Sequence, residues 1–191
     1  MSFFKKSIPF FCLLVVILVC CDQALKAFVF FKQDGGYLSI NISSFFKIVY
    51  LENNGIAFGF LSEQGDLFKF FLTLFRLFAV VFIFFFFVSI IKKKRVCLLG
   101  CVPFSLVLAG AIGNVIDSVF YSFIGMNLNS SGGLFQGKVI DMFAFSFFPP
   151  VFNLADAFVC VGVFSIFIFQ TNIMLNKKRS LWSDFIKLFK G

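Results

Sequence analysis

The segment LFAVVFIFFFFVSII (77–91) decides the fold class, because its fifteen consecutive residues carry no charge and include one polar side chain. A soluble domain needs a charged surface, whereas 60% of the 191 residues are hydrophobic and 14% are charged. A helix of about 20 mainly apolar residues spans a bilayer and satisfies its own backbone groups. The sequence therefore predicts a helical membrane protein.

Three further stretches have the length and apolar character of membrane-crossing helices. The four predicted spans cover about residues 8–31, 67–91, 96–120 and 152–170. No segment shows the alternation of a membrane β-barrel. We therefore expect one integral membrane domain over residues 1–191: an all-α protein with four transmembrane helices. Segments 32–66 and 121–151 would be extracytoplasmic.

The basic residues predict the orientation of these spans. Eleven of the 17 Lys and Arg residues fall on one side, at positions 5, 6, 92–95, 177–179, 187 and 190. Because positive charge accumulates in cytoplasmic segments, both termini are expected in the cytoplasm. This topology accounts for the net charge of +8, so we expect membrane lipid rather than nucleic acid as a partner. The first span resembles a secretory signal, but we expect it to be retained, since Val19 precedes Cys20 where a small residue is usual.

Polar residues that are costly in hydrocarbon occur at one depth of the predicted spans. An intramembrane ionisable residue usually marks function. Seven polar residues fall toward the extracytoplasmic side: Asp22 and Lys26 in the first span, Asn114 and Asp117 in the third, Asp141 before the fourth, and Asn153 and Asp156 at its start. Their convergence predicts a shared site near the extracytoplasmic face.

Several of these side chains also have a purely structural interpretation. Asp22 and Lys26 are four residues apart, so they share a helix face and could form an ion pair. That pair would be structural, with contact to a ligand as a secondary role. Asn114 could hydrogen-bond a neighbouring helix. Arg76 is interpreted as a residue that faces the bundle or snorkels toward the surface.

The stretch YLENNGIAFGF (50–60) predicts an unusual extracytoplasmic element. An Asn-Asn-Gly turn signal stands between apolar residues, and Gly55 permits backbone angles closed to other residues. Two structures fit: a re-entrant or interfacial segment that presents Asn53, or a β-hairpin turn in a partly β cap. The sequence leaves both open.

Asp141 and Asp156 have no evident basic partner in the sequence. Two carboxyl groups close together in a low-dielectric site share one proton, and the pair then supplies a base and an acid. The sequence contains no histidine, and its six cysteines lie in apolar spans without zinc-like spacing. We therefore expect neither a metal nor a cofactor, and aspartyl peptidase chemistry at the membrane surface becomes the natural candidate.

Five motifs together resemble the lipoprotein signal peptidase family (signal peptidase II). They are DQALK (22–26), NNGIAFG (53–59), GAIGNVID (110–117), GKVIDMF (137–143) and FNLAD (152–156), in the family's order. The resemblance implies that Asp141 and Asp156 are the catalytic dyad. It also implies active-site support or substrate binding by Asp22, Lys26, Asn53, Gly55, Asn114, Asp117 and Asn153.

The same resemblance implies the substrate and the setting. The substrate would be a prolipoprotein whose cysteine carries diacylglycerol, cleaved on the N-terminal side of that cysteine to release the signal peptide. The cyclic lipopeptide globomycin would inhibit the enzyme. We expect a monomer in the bacterial inner membrane.

The sequence departs from the family pattern at two places. Ser118 follows Asp117 where the family usually has arginine, which puts the role of Asp117 in doubt. The segment YSFIGMNLNSSGGLFQ (121–136) lengthens the extracytoplasmic loop beyond the usual size. Lys138 could partly substitute for the missing positive charge.

Two other functional classes compete with the peptidase. A small proton- or ion-coupled transporter also uses intramembrane acids, but its polar residues should extend through both membrane halves, often within inverted repeats. Here they cluster on one side. A non-catalytic assembly factor would tolerate replacement of both aspartates.

Overall fold

The computed structural model describes residues 2–54, 66–92, 98–128 and 132–176. The helices are α1 (Ser2–Lys32), α2 (Asp66–Lys92), α3 (Leu98–Phe120) and α4 (Leu154–Asn176). The strands are β1 (Ser39–Asn41), β2 (Phe46–Asn53), β3 (Val139–Phe145) and β4 (Phe148–Phe152). Gly55 and the basic residues at 93–95, 177–179, 187 and 190 lie outside the described residues.

Among the described residues, three helices are long and apolar enough to cross a membrane. They cover Ser7–Lys32, Phe70–Ile90 and Leu98–Phe120, and α4 adds a shorter apolar stretch, Leu154–Ile168. The three long helices coincide with the first three predicted spans, whereas the apolar stretch of α4 is shorter than the predicted fourth span. The protein is mostly helical, as predicted, with a small antiparallel sheet.

Helix α3 lies at the centre of the bundle and packs against α1, α2 and α4. The ring of Phe87 from α2 lies 4.1 Å from that of Phe11 in α1 and 4.9 Å from that of Phe104 in α3, between ring centroids. Phe87 is fully buried, whereas Phe85 is 64% exposed. The phenylalanine run FIFFFFV (82–88) therefore packs into the bundle with one face and leaves the other face exposed.

The four strands form one antiparallel sheet in the order β1-β2-β3-β4. Pairing of β2 with β3 sets Leu51 opposite Asp141 and Asn53 opposite Val139. Apolar residues join the sheet to the ends of α1 and α3: Val29, Tyr50, Tyr121, Ile140 and Met142. The partly β cap is thus present. A re-entrant element over 55–60 would lie outside the described residues.

Gly113 lets three elements approach one another beneath the sheet. A Cβ atom built on Gly113 would lie 2.6 Å from Asp22 Oδ2 and 3.2 Å from the Cβ of Ala155. A side chain there would therefore displace the polar part of α1 from the start of α4. Because of this close approach, Asp22, Asn114 and Asp156 lie near one another.

Candidate active site

A cavity of about 760 Å³ lies where the sheet meets α2, α3 and α4. Its polar lining consists of Asn53, Arg76, Asn114, Asp141 and Asp156. Strand β4 and the first turns of α4 add apolar lining, including Phe148, Pro150, Phe152, Val159 and Val161. The cavity therefore combines two carboxylates with an apolar wall.

Asp141 enters the cavity from β3 and is held by two amides. Asn53 Nδ2 donates to Asp141 Oδ2 at 2.8 Å, and Asn153 Nδ2 donates to Asp141 Oδ1 at 2.7 Å. Burial raises the pKa of Asp141 to about 7; the hydrogen bond from Asn53 opposes this shift, and the nearby charge of Asp156 adds to it. Asp141 is thus poised to hold or release a proton near neutral pH.

Asp156 lies in the first turn of α4 and takes part in its N-terminal cap. Asn153 Oδ1 accepts from the backbone N–H of Asp156 at 2.9 Å, and Asp156 Oδ2 accepts from the backbone N–H of Asn153 at 3.3 Å. This reciprocal cap satisfies two backbone donors of the helix. A carboxylate in the first turn is also favoured by the positive end of the helix dipole.

Asn114 connects the two carboxylates to a charged layer behind them. Its Nδ2 donates to Asp156 Oδ1 at 2.8 Å. Its Oδ1 accepts from Asn153 Nδ2 and from Lys26 Nζ, each at 3.2 Å. The two amides and two carboxylates therefore form one hydrogen-bonded network, because Asn153 also donates to Asp141.

Lys26 forms the centre of a buried ion cluster. Its Nζ lies 2.8 Å from Asp22 Oδ2 and 2.6 Å from Asp117 Oδ2, and all three side chains are fully buried. Asp22 Oδ1 accepts from the backbone N–H of Ala155 at 2.9 Å, which ties α1 to the first turn of α4. Gln23 Nε2 donates to Asp117 Oδ1 at 3.0 Å. The cluster braces α1, α3 and α4 behind the cavity.

The family model for signal peptidase (SPase) II matches residues 14–172. The chain belongs to the signal peptidase II family. It is therefore an aspartic-type peptidase, and with its apolar helices it is a membrane enzyme of signal-peptide processing.

Named relatives and solved structures agree with this membership. The chain is 31% identical to the lipoprotein signal peptidase of Porphyromonas gingivalis, over 88% of this chain and 87% of the relative. It is 32% identical to that of Bartonella henselae, over 94% of this chain and 99% of the relative. A bacterial membrane enzyme solved by the in meso method superposes with a TM-score of 0.64 at 31% identity, covering 89% of this chain and 92% of that one.

The structure brings most of the predicted signal peptidase II site residues together, in two groups. The cavity is lined by Asn53, Asn114, Asp141 and Asp156, and Asn153 is buried beside them and bonded to both aspartates. Asp22, Lys26 and Asp117 form the ion cluster and are not among the residues that line the cavity. Gly55 lies outside the described residues.

The family usually has an arginine directly after Asp117. In this chain the positive charge near that position comes from a different helix, α2. Arg76 of α2 lines the cavity, and its Nη1 donates to Ser118 Oγ at 3.0 Å. Lys138, suggested from the sequence as a substitute, instead pairs with Glu52 on the sheet at 3.0 Å. Arg76 thus faces the site rather than the membrane surface.

Two members of the buried network were not predicted from the sequence. Gln23 donates to Asp117, and Tyr121 donates through its hydroxyl to Gln23 Oε1 at 2.9 Å. Gln23 lies next to Asp22 inside the DQALK motif, so its position was a usable signal. Tyr121 follows the end of α3, and only the packed structure reveals its contact.

Proposed function

We propose that the protein cleaves diacylglyceryl-modified prolipoproteins on the N-terminal side of the lipid-modified cysteine, with Asp141 and Asp156 as the catalytic pair. One observation carries the proposal: both carboxylates line the same cavity and are linked through the side chains of Asn153 and Asn114. Family membership supports the removal of signal peptides from prolipoproteins.

The two aspartates have different roles in the proposed reaction. Ionised Asp156 takes a proton from water, and the water oxygen attacks the scissile carbonyl carbon. Protonated Asp141 donates to the carbonyl oxygen. When the tetrahedral intermediate collapses, the C–N bond breaks, Asp156 gives its proton to the leaving amine nitrogen, and Asp141 takes a proton back from a hydroxyl of the intermediate as the carboxyl product forms. The raised pKa of Asp141 and the place of Asp156 in the first turn of α4 support this division.

The remaining predicted residues act on this pair. Asn53, Asn114 and Asn153 orient the carboxylates through the hydrogen bonds described above. Asp22, Lys26 and Asp117 act from behind, by fixing α3 and the start of α4. Gly55 is assigned to substrate binding by its motif alone.

The apolar wall of the cavity suits the lipid part of the substrate. Phe148, Pro150 and Phe152 come from β4, and Val159 and Val161 from α4. Hydrocarbon chains gain little from polar walls, so such a surface favours the diacylglyceryl chains or the signal helix over water. The scissile bond would then lie at the polar end, beside Asp141 and Asp156.

The proposed topology follows from the same arrangement. Helix α4 serves as a fourth span, the whole chain of residues 1–191 forms one domain, and both termini are cytoplasmic. The sheet, the end of α1 and the start of α4 then lie at the extracytoplasmic face of the bacterial inner membrane. The basic residues of the opposite side support this orientation. Every described residue of the site comes from one chain, which supports a monomer.

The test is cleavage of a purified diacylglyceryl-modified prolipoprotein by the full-length protein in lipid nanodiscs. Asp141→Asn and Asp156→Asn should each lower the rate by at least about 100-fold, the scale of lost general acid or base catalysis. Asp34→Asn, which changes an exposed acid, is the matched control and should cleave normally.

A second arm adds globomycin, which should stop cleavage by the unmodified protein. Size-exclusion profiles and thermal unfolding confirm that the variants fold. Normal cleavage by either aspartate variant would overturn the dyad assignment, and cleavage of substrate without the diacylglyceryl group at the same rate would overturn the substrate assignment.

A further inference from the structure

Arg76 places a positive charge inside the cavity. It comes from α2, a helix that carries none of the site residues predicted from the sequence. Its Nη1 donates to Ser118 Oγ at 3.0 Å, and the Ser118 hydroxyl donates to the backbone oxygen of Asn114 at 2.8 Å. Asn114 is itself bonded to Asp156. The guanidinium of α2 is therefore fixed against the segment of α3 that orients a dyad carboxylate.

The carboxylates that interact with Arg76 come from three elements. Its guanidinium interacts electrostatically with Asp156 of α4, Asp117 of α3 and Asp141 of β3. Lys26 is bound to Asp22 and Asp117, and Glu52 is bound to Lys138.

Arg76 supplies the positive charge of the cavity that contains the dyad. Of the described residues that line the cavity, Arg76 alone is positively charged. An ionised carboxylate beside an apolar wall is costly unless a charge or donor compensates it. Arg76 supplies such a charge, and the Ser118 contact fixes where it acts.

We propose that Arg76 is a positioning residue of the peptidase reaction, whose guanidinium, held by Ser118, supplies the positive charge beside the dyad and fixes the segment of α3 that orients Asp156. This inference rests on the proposed function, because it concerns the same pair of carboxylates. The proposal adds Arg76 of α2 to the site and gives Ser118 of α3 the role of holding the guanidinium. Arg76 acts through Asp156 and is not assigned contact with the substrate.

The test compares four forms of the full-length protein in the nanodisc assay: unmodified, Arg76→Gln, Arg76→Lys, and the exchange variant Arg76→Ser with Ser118→Arg. Arg76→Gln removes the positive charge that lines the cavity and keeps most of the length of the side chain. Its kcat at the unmodified protein's optimum should fall about tenfold or more, with a smaller change in KM.

The exchange variant distinguishes electrostatics from packing. It returns one guanidinium to the same place from the other helix, so it should recover most of the lost kcat. Arg76→Lys keeps the charge and should retain more activity than Arg76→Gln. Lys32→Gln, which removes an exposed lysine at the end of α1, is the charge control and should match the unmodified protein.

Each outcome decides the inference. An unchanged kcat in Arg76→Gln, or an exchange variant as inactive as Arg76→Gln, would overturn it. If Arg76→Gln does not fold, the Lys and exchange variants carry the same comparison. Asp156→Asn in parallel distinguishes the two levels: an active Asp156→Asn overturns the proposed function, whereas an inactive one beside a normal Arg76→Gln overturns this inference alone.

Discussion

Asn153 Nδ2 donates to Asp141 Oδ1 at 2.7 Å, although the two residues come from different elements, the start of α4 and strand β3. The same asparagine caps α4 by accepting from the backbone N–H of Asp156 at 2.9 Å. One side chain thus couples the position of both carboxylates to the beginning of a helix. Capping and coupling use different atoms, the Oδ1 and the Nδ2, so they can be separated by substitution.

Asn153→Ser should separate capping from catalysis. Serine is as good an N-cap as asparagine, whereas alanine costs about 1 kcal/mol. Serine has no amide to reach Asp141, so Asn153→Ser should lose cleavage by about tenfold, with a thermal midpoint close to that of the unmodified protein. Asn153→Ala should lose both activity and stability. Equal activity of Asn153→Ser and the unmodified protein would show that the amide contact to Asp141 is dispensable.

The rate of cleavage should fall as the pH rises above about 7. Burial raises the pKa of Asp141 to about 7, so the protonated acid that the reaction needs disappears above that value, by about tenfold per pH unit. Asn53 stabilises the ionised form, so Asn53→Ala should raise the pKa further and move this alkaline limb to higher pH. Profiles of kcat/KM against pH measure both effects, with Asn41→Ala, at the end of β1, as the control. An alkaline limb that stays in place in Asn53→Ala would contradict this assignment.

The helices were predictable because the bilayer leaves few choices. A spanning segment must be apolar and helical, so the run at 77–91 predicted α2 without knowledge of its neighbours. For residues 50–60 the sequence left two alternatives, a β-hairpin turn in a sheet and a re-entrant segment. The decisive pairing of the sheet joins Leu51 to Asp141, and the periodicity of residues 50–60 contains no information about a strand that follows two helices later.

The candidate site was likewise predictable only in part. The presence of Asp141 and Asp156 in one cavity was predictable from their cost in a membrane, since each is an acid without an evident sequence partner. Arg76 was not, because facing the bundle and snorkelling fit its sequence equally well. The rotation of α2 decides between them, and that rotation depends on packing such as Phe87 against Phe11 and Phe104.

Lys26→Met should destabilise the protein strongly. Methionine has nearly the same length, but the substitution leaves Asp22 and Asp117 buried without the cation that lies 2.8 and 2.6 Å away. Removing one partner of a buried ion pair costs about 3–5 kcal/mol. Lys32→Met, at the exposed end of the same helix, is the matched control. Thermal unfolding in detergent makes the comparison, and equal midpoints for the two variants would contradict a stabilising role of the cluster.

Glu52 should hold the lengthened loop against the sheet in a pH-dependent way. Its Oε1 accepts from the Tyr50 hydroxyl and the backbone N–H of Leu128, each at 2.6 Å, and its Oε2 lies 3.0 Å from Lys138 Nζ. Burial acts to raise the pKa of Glu52, but these hydrogen bonds outweigh it and hold the pKa below its usual range. Because the folded pKa is the lower one, the stabilisation is complete above the ordinary pKa of glutamate and is lost as the pH falls through the lowered value.

The corresponding variant is Glu52→Gln, which keeps the shape and removes the charge. Loss of about 1 kcal/mol in this tether should speed hydrogen exchange at the Leu128 amide by about fivefold at neutral pH. In the unmodified protein the acceleration should begin on acidification below the ordinary glutamate pKa and become complete below the lowered value, after correction for the intrinsic exchange rate. Lys47→Gln changes an exposed charge on the same strand and should leave that exchange unchanged. An exchange rate at Leu128 that neither Glu52→Gln nor acidification alters would show that the loop is held by other contacts, such as the hydrogen bonds between Asn127 and Lys138.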